Sequence, residues 1–237
     1  MTDALLQVDK LNAFYGRAQI LFGISLTVSR GEVVALMGRN GAGKSTTFKA
    51  LMGHLDRMSG DIRFCGDDIS NLPTHKIARL GLGFVPEDRR IFTDLTVMEN
   101  LTVGRRSKRP ELPEWTPEAL FNVFPNLQEM RNRSAGRISG GEQQMLTVAR
   151  TLMGNPLLVL LDEPSEGVSP VIVDAMVRMI QRVKAHGVSI LLSEQNLHFA
   201  RAVSDRAYLI EKGYIRFSGT MAELTADETA RRSYLTV

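Results

Sequence analysis

The sequence of 237 residues contains a single cysteine, Cys65, and no long apolar segment. One cysteine excludes an internal disulfide and any metal site built from several cysteines, which is typical of a reducing compartment, and we expect Cys65 to serve packing. No stretch approaches the roughly 18 to 20 apolar residues that a membrane span needs, and residues 1–7 lack the features of a secretory signal. We therefore expect a protein of the cytosol, unless a partner holds it at a membrane.

The chain also has little excess of positive over negative charge. It carries 29 basic and 26 acidic side chains, for a net charge of +3. This excess is too small to predict a nucleic-acid-binding surface by itself, so no nucleic-acid partner is expected. The composition, with 43% apolar and 23% charged residues, is that of a soluble protein large enough to bury a sizeable core.

Four short apolar runs predict strands that are buried on both faces. Each lacks polar alternation, and helical patterns and glycine turns lie between them, which is typical of a doubly wound, parallel α/β sheet. The runs are residues 33–37, 81–85, 157–161 and 188–192.

Other segments have a different pattern. Alternating residues and turns at 5–16, 18–32 and 59–69 predict an antiparallel sheet laid against the core, and residues 207–219 predict a β-hairpin. We predict one domain with a nucleotide-binding core and β subdomain at about 1–87 and 155–222. A helical subdomain is predicted at about 88–154, where strand signals nearly vanish, and a C-terminal helix at about 223–237.

The stretch GRNGAGKST has the GxxxxGKS pattern and lies between an apolar strand and a helix with apolar residues at helical spacing. Its glycines let the backbone wrap a triphosphate, and the helix N-terminus directs N–H groups at the phosphate oxygens. Lys44 is expected to bridge the β- and γ-phosphates, and the hydroxyl of Ser45 to bind Mg²⁺. The candidate nucleotide-binding residues are Gly38, Arg39, Asn40, Gly41, Ala42, Gly43, Lys44, Ser45 and Thr46.

A second apolar strand ends in two carboxylates, in the stretch LLVLLDEP. Asp162 can hold hydrated Mg²⁺. Glu163 can orient and deprotonate the attacking water, a general-base role that typically contributes about 10² to 10⁴ in rate. The sequence therefore predicts binding and hydrolysis of a nucleoside triphosphate.

The stretch RISGGEQQMLTVAR forms a second candidate phosphate-binding turn. Ser139, Gly140 and Gly141 open a helix with an apolar face, and N–H groups at a helix N-terminus favour an anion. The chain thus has two such turns.

These three motifs, at these separations, resemble the ATP-binding cassette (ABC) ATPases over about residues 5–222. The resemblance implies an α/β fold with a P-loop NTPase (RecA-like) core, an antiparallel β subdomain and an inserted α-helical subdomain, and it implies ATP and Mg²⁺ as ligands. Tyr15 falls where the family stacks an aromatic ring on adenine, although a tyrosine of the core or a hairpin is the alternative. In the family two ATPases dimerise head to tail, so Ser139, Gly140 and Gly141 contact the γ-phosphate held by the partner.

Three positions depart from the common family pattern. Glu87 replaces the glutamine that senses Mg²⁺ and the γ-phosphate, Gln195 replaces the switch histidine, and Ser169 replaces an aspartate. Gln195 can donate a hydrogen bond to a phosphate oxygen but carries no charge, and Glu87 can ligate Mg²⁺ but adds a negative charge near the phosphates. We therefore predict slower hydrolysis at this chain's own phosphate loop than at a standard site.

The stretches VPEDRRIF, PSEG and EQN are similar to LivF-type ATPase subunits of branched-chain and hydrophobic amino-acid importers. This resemblance implies a second, non-identical ATPase, two membrane permeases, an extracytoplasmic solute-binding protein and a peripheral location on the cytoplasmic face of the membrane. Urea-type or amide importers share much of the pattern, and the lipopolysaccharide-export ATPase is a further relative that keeps the switch histidine. A soluble cassette ATPase and a regulatory module without turnover remain as other classes.

A groove near residues 87–101 is the expected contact for a permease helix. Its apolar residues are Ile91, Phe92, Leu95 and Val97, each of which could instead belong to the core of the helical subdomain.

Overall fold

The computed structural model of the chain describes residues 4–227, which form two β-sheets with helices around the larger one. The strands are β1 (Ala4–Tyr15), β2 (Ala18–Ser29), β3 (Val33–Met37), β4 (Arg57–Phe64), β5 (Asp67–Asp68), β6 (Leu82–Val85), β7 (Leu158–Asp162), β8 (Ser189–Glu194), β9 (Arg206–Glu211) and β10 (Tyr214–Thr220). The helices are α1 (Lys44–Leu51), α2 (Thr74–Leu80), α3 (Val97–Gly104), α4 (Pro117–Val123), α5 (Pro125–Glu129), α6 (Gly140–Leu152), α7 (Pro170–Ala185), α8 (Leu197–Val203) and α9 (Met221–Ala226).

The larger sheet has six strands in the order β10-β9-β3-β8-β7-β6. The strands from β9 to β6 run parallel, and β10 pairs antiparallel with β9. Every residue of β3 and β7 is buried, because side chains on both faces of these strands meet a core. The four apolar runs of the sequence are therefore parallel strands, as predicted; β3, β7 and β8 lie inside the sheet, and β6 lies at its edge.

The two faces of this sheet meet different partners. Alternate residues of β3, such as Val33 and Ala35, join a core with residues of helices α3 to α9. The residues between them, Val34 and Leu36, join a second core with α1, α2 and the smaller sheet. That sheet has the order β2-β1-β4-β5 and is antiparallel throughout. The α/β core and the antiparallel β-sheet expected from the sequence are both present.

Residues 88–157 contain helices and no strand of either sheet, as expected for the inserted helical region. Helix α6 packs firmly, since Leu146, Ala149 and Leu152 are fully buried. Helix α9 covers the start of the predicted C-terminal helix and ends at Ala226, and residues 228–237 of that prediction lie outside the described residues. No helix within residues 4–227 combines the length and the apolar character needed to cross a membrane.

The expectation for Cys65 is wrong. Its side chain is exposed, because the residue follows β4 in the tight turn to β5 and has φ of 54°, so it contributes no packing to either core.

Candidate active site

The candidate nucleotide site lies at the carboxyl end of the parallel strands, where β3 ends and α1 begins. Gly41 and Gly43 of the intervening loop have φ of 79° and 116°, which favours glycine. A Cβ at Gly38 would lie 2.5 Å from the carbonyl oxygen of Ile210 on β9. Gly41 is thus favoured by its backbone conformation, Gly38 by the close approach of β9 and Gly43 by both effects, and the loop has the form expected of a triphosphate cradle.

Lys44, the first residue of α1, turns back over this loop. Its Nζ donates to the carbonyl oxygen of Gly38 at 2.8 Å and lies 2.9 Å from Oε1 of Glu163. Both charged side chains are buried, with 3% and 6% exposure. A buried charge is costly unless an opposite charge lies beside it. A phosphate that binds Lys44 would therefore replace Glu163 as the negative partner of the lysine. Lys44, which is predicted to bind phosphate, and Glu163, the predicted general base, are therefore direct neighbours.

Asp162 is the last residue of β7. Its Oδ1 accepts hydrogen bonds from the hydroxyl of Ser193 at 2.6 Å and from that of Ser45 at 3.2 Å. Burial raises the pKa of the Asp162 carboxyl, and these two hydroxyl groups oppose the rise. A carboxylate and a hydroxyl oxygen this close match the hard oxygen ligands that Mg²⁺ prefers. Ser45 and Asp162 thus fit the predicted metal, which would supply positive charge beside the phosphate oxygens.

Glu163 has a left-handed backbone, with φ of 46°. Its N–H donates to the hydroxyl and to the carbonyl oxygen of Ser193, at 3.0 and 3.2 Å. Residues other than glycine adopt this region at a cost of about 1 to 3 kcal/mol, and such strain clusters at functional sites. Ser193 therefore holds the backbone of Glu163 and the carboxylate of Asp162 together.

Glu166 is a residue of this site that the sequence reasoning missed. A hydrogen bond with Glu163, together with burial and the charges of Glu163 and Glu87, raises the pKa of Glu166 to about 7. Burial tends to raise the pKa of Glu163 as well, but its hydrogen bonds with Glu166 and Lys44 outweigh this effect and lower it. The available signal was local, since Glu166 follows Glu163 by three residues and a turn returns its N–H to the Glu163 carbonyl at 3.1 Å.

A cavity of about 420 Å³ collects most of the predicted residues. Its walls are Tyr15, Ile20, Asn40, Gly41, Gly43, Lys44, Ser45, Thr46, Glu87, Glu163 and Glu166. Tyr15 is one of these walls and is 46% exposed, so its predicted contact with adenine stays a prediction. Ile20 was not predicted, and it adds an apolar wall.

Some predicted residues lie outside the walls of this cavity. Gly38, Arg39 and Ala42 belong to the loop without lining the cavity, and the carbonyl oxygen of Ala42 instead accepts from Gly213 at 2.8 Å. Gln195 directly follows β8, and its side chain is exposed. Ser169 is the N-cap residue of α7, but its side chain accepts no capping hydrogen bond from the helix.

The second glycine turn is also outside the cavity. Ser139 precedes α6, its hydroxyl accepts from the N–H of Glu142 at 3.3 Å, and the Glu142 carboxylate accepts from the N–H of Ser139 at 2.7 Å. A Cβ at Gly141 would lie 2.6 Å from the side chain of Ile172 on α7, and one at Gly140 would meet the guanidinium of Arg89. The turn is rigidly placed, but within one chain it does not contact the Lys44 cavity.

The segment that follows Glu87 is tied to α6. Arg89 and Arg90 both have positive φ, at 63° and 45°. The hydroxyl of Thr147 donates to the carbonyl oxygen of Arg89, and the guanidinium of Arg150 donates to that of Arg90. Residues 87–90 therefore run from the cavity, which Glu87 lines, to α6, the helix that carries the second glycine turn.

Comparison with known proteins gives a consistent result. Residues 21–166 match the family model described as ABC transporter. The chain is 41% identical to the high-affinity branched-chain amino acid transport ATP-binding protein BraG of Pseudomonas aeruginosa, over 98% of this chain and 99% of that protein. It is 37% identical to the lipopolysaccharide export system ATP-binding protein LptB of Escherichia coli, over 98% and 97%. A probable branched-chain amino acid transport ATP-binding protein, LivF of Archaeoglobus fulgidus, is 36% identical over 94% and 95%.

Solved structures agree with the fold. The crystal structure of an ATP-binding cassette of an ABC transporter in its ADP conformation has a TM-score of 0.81 and 26% identity, over 97% of each chain. An ATP-binding subunit of an ABC transporter has a TM-score of 0.81 and 28% identity, over 98% of this chain and 96% of that one.

Proposed function

Because this chain belongs to the ABC transporter family and is an ATPase of that family, we propose that it is the motor subunit of an importer for branched-chain or other hydrophobic amino acids. The observation that carries the proposal is the 41% identity, over 98% of the chain, to an ATP-binding protein of branched-chain amino acid transport. A second relative with 36% identity has the same named role.

The two glycine turns support a shared active site between two ATPases. Lys44 and Glu163 lie in one cavity, whereas Ser139 to Gly141 lie outside it, at the start of a firmly packed helix. A turn with this placement can deliver N–H donors to a nucleotide held by another chain. ATP bound between two chains favours the closed dimer, because it contacts both of them, and hydrolysis removes these contacts. Ser139, Gly140 and Gly141 would then serve the partner's ATP.

A groove beside α3 and α6 is the proposed contact for a permease. It has a volume of about 430 Å³, and its walls include His54, Phe84, Phe92, Val103 and Arg150. Phe92 is 48% exposed and has the Arg150 guanidinium 4.8 Å from its ring centroid. Of the four residues expected in such a groove, Phe92 is among its walls, and Ile91 and Leu95 are partly exposed outside them. For Val97 the structure supports the alternative, because its side chain is fully buried in the core.

Export of lipopolysaccharide is the second candidate, since the relative with that named role is 37% identical over 98% of the chain. Gln195, in place of the histidine expected for that group, favours the amino-acid importer. A urea or amide importer, or a soluble cassette ATPase, would differ in its partners.

Purification of the tagged chain from detergent-solubilised membranes tests the assignment. We expect two permeases and a second ATPase to be recovered, and proteoliposomes containing this complex to take up labelled leucine when ATP is supplied on the side of the ATPases. Recovery of ribosomal proteins, or ATP-driven movement of lipopolysaccharide instead of leucine, would contradict the proposal.

The shared site has its own test, which uses the complex with the partner ATPase. We expect Ser139→Ala to lower ATP turnover of the complex, because the variant weakens the site on the partner's phosphate loop, while ATP binding to Lys44 in the isolated chain stays normal. Ser134→Ala is the matched control, since the Ser134 hydroxyl donates only to the Thr93 carbonyl at 2.9 Å. Equal turnover by the Ser139→Ala complex and the unaltered complex would refute the contact in trans.

A further inference from the structure

Glu194, the last residue of β8, is a buried carboxylate whose role is not explained by the predicted site. Its side chain is 1% exposed. No cationic side chain forms an ion pair with it in the part of the chain that the structure describes, residues 4–227. Burying a carboxylate without a cation is costly unless several N–H groups compensate its charge. The partners of Glu194 therefore explain why a carboxylate is present.

Three backbone N–H groups donate to the two oxygens of this carboxylate. Oε1 accepts from Ser165 at 3.0 Å, and Oε2 accepts from Gln195 at 3.2 Å and from Asn196 at 3.1 Å. Ser165 begins the segment after the Glu163-Pro164 pair, so each oxygen holds a different part of the site. One oxygen fixes the chain that leads from the predicted general base, and the other fixes the backbone of the predicted phosphate-contacting glutamine.

The main chain of Glu194 adds a third connection. Its carbonyl oxygen accepts from the N–H of Gly38 at 3.1 Å, at the start of the phosphate loop. In the sheet, Glu194 lies in register with Met37, the residue before that loop. One residue thus contacts the phosphate loop, the segment after Glu163 and the Gln195 backbone, and all three must be correctly placed for attack on a bound triphosphate.

We propose that Glu194 is a positioning residue for ATP hydrolysis, which uses its two carboxylate oxygens to hold Gln195 and the segment after Glu163 in a fixed relation. The inference rests on the proposed function only in requiring ATP turnover. Glu194 is not among the walls of the nucleotide cavity, so it acts through the residues that it holds. A displacement of reacting groups by about 1 Å can cost about 100-fold in rate, so this arrangement affects catalysis more than ground-state binding.

Glu194→Gln is the sharpest variant, because it keeps the shape of the side chain. A glutamine has one acceptor oxygen and one NH₂ donor, so one of the two sets of N–H groups would face a donor. We expect kcat of the complex with the partner ATPase to fall at least about 10-fold, with KM for ATP and the dissociation constant of a fluorescent ADP analogue within about twofold of the unaltered complex. A fall in kcat alone separates positioning from loss of fold or of nucleotide binding.

Glu32→Gln is the matched control. Glu32 also accepts a backbone N–H, that of Ser29 at 2.8 Å, and binds Arg206 at 3.2 Å, but it precedes β3 at the opposite end of the parallel strands. We expect this variant to lower the melting temperature while kcat of the folded protein stays normal. If Glu194→Gln behaves in the same way, Glu194 has a structural role only and the proposal is wrong.

A double-mutant cycle tests whether Glu194 acts through its neighbour. We expect Glu194→Gln to lower kcat by a clearly smaller factor in a Gln195→Ala background than in the unaltered chain, because the Gln195 side chain that Glu194 positions is already absent. Fully additive effects of the two substitutions on the logarithm of kcat would overturn the proposal.

If Glu194→Gln does not fold, Glu194→Asp replaces it, because the shorter side chain cannot reach both sets of N–H groups. A kcat of Glu194→Asp equal to that of the unaltered chain would again overturn the proposal. Absence of turnover in the unaltered complex would instead contradict the ATPase assignment.

Discussion

Replacing Glu163 with glutamine removes the predicted general base and one half of a buried ion pair in a single step. The carboxylate oxygen lies 2.9 Å from Lys44 Nζ, and the two side chains are 6% and 3% exposed. General-base catalysis typically contributes about 10² to 10⁴ in rate, which corresponds to about 3 to 5 kcal/mol of activation free energy. We therefore expect kcat for ATP hydrolysis to fall by a factor in this range.

The same structure predicts that Glu163→Gln binds ATP at least as tightly as the unaltered chain does. A phosphate must replace Glu163 as the partner of Lys44, and a neutral amide competes for the lysine less than a carboxylate does. Turnover is measured by phosphate release, and affinity by equilibrium binding of labelled ATP. Glu211→Gln is the control, because Glu211 lies 3.5 Å from Arg216 in a partly exposed pair and is not among the walls of the cavity. A kcat within a factor of about 3 of the unaltered rate would refute the role of Glu163.

Two further variants test other walls of the cavity. Tyr15→Ala is expected to weaken ATP binding by about 1 to 2 kcal/mol, because stacking on a base is lost, while Tyr15→Phe keeps most of the affinity; equal losses in equilibrium titrations would rule out stacking. For Glu166, the pKa of about 7 means that the carboxyl is protonated in mildly acidic solution and ionised in mildly basic solution. Ionised Glu166 makes Glu163 a stronger base, so we expect kcat to rise between about pH 6 and pH 8 and this rise to disappear in Glu166→Gln; an unchanged pH profile of the variant would exclude this role.

Much of the fold could be predicted because its signals are local. Runs such as Val33–Met37 are apolar on both faces, so they identify central strands without any knowledge of their neighbours. The phosphate loop and the acidic pair at Asp162 and Glu163 have the same advantage, since each motif directly follows its strand. Cys65 was misjudged because burial in a turn depends on its place in the sheet, and residue type alone carries little information about that place.

The parts of the site that were missed depend on contacts between distant segments. The sequence shows no relation between Ser193 and Asp162, which parallel pairing of β7 and β8 brings within 2.6 Å. Glu194 resembles an ordinary acidic residue at a strand end until the N–H groups around it are known. The pairing of strands, which decides such contacts, is the information that a single sequence expresses most weakly.

The charges around the cavity explain why a second phosphate cradle is useful. Three carboxyl groups line it, those of Glu87, Glu163 and Glu166, and Lys44 is its lysine. A triphosphate adds more negative charge, and Glu87 makes this balance worse than the common glutamine would. The remaining compensation must come from Mg²⁺, from backbone N–H groups of the phosphate loop and from a helix N-terminus. Within one chain no helix other than α1 begins at this loop, among residues 4–227. A turn such as Ser139 to Gly141, supplied by a partner, would provide the missing donors, so we expect ATP to bind the dimer more tightly than the isolated chain.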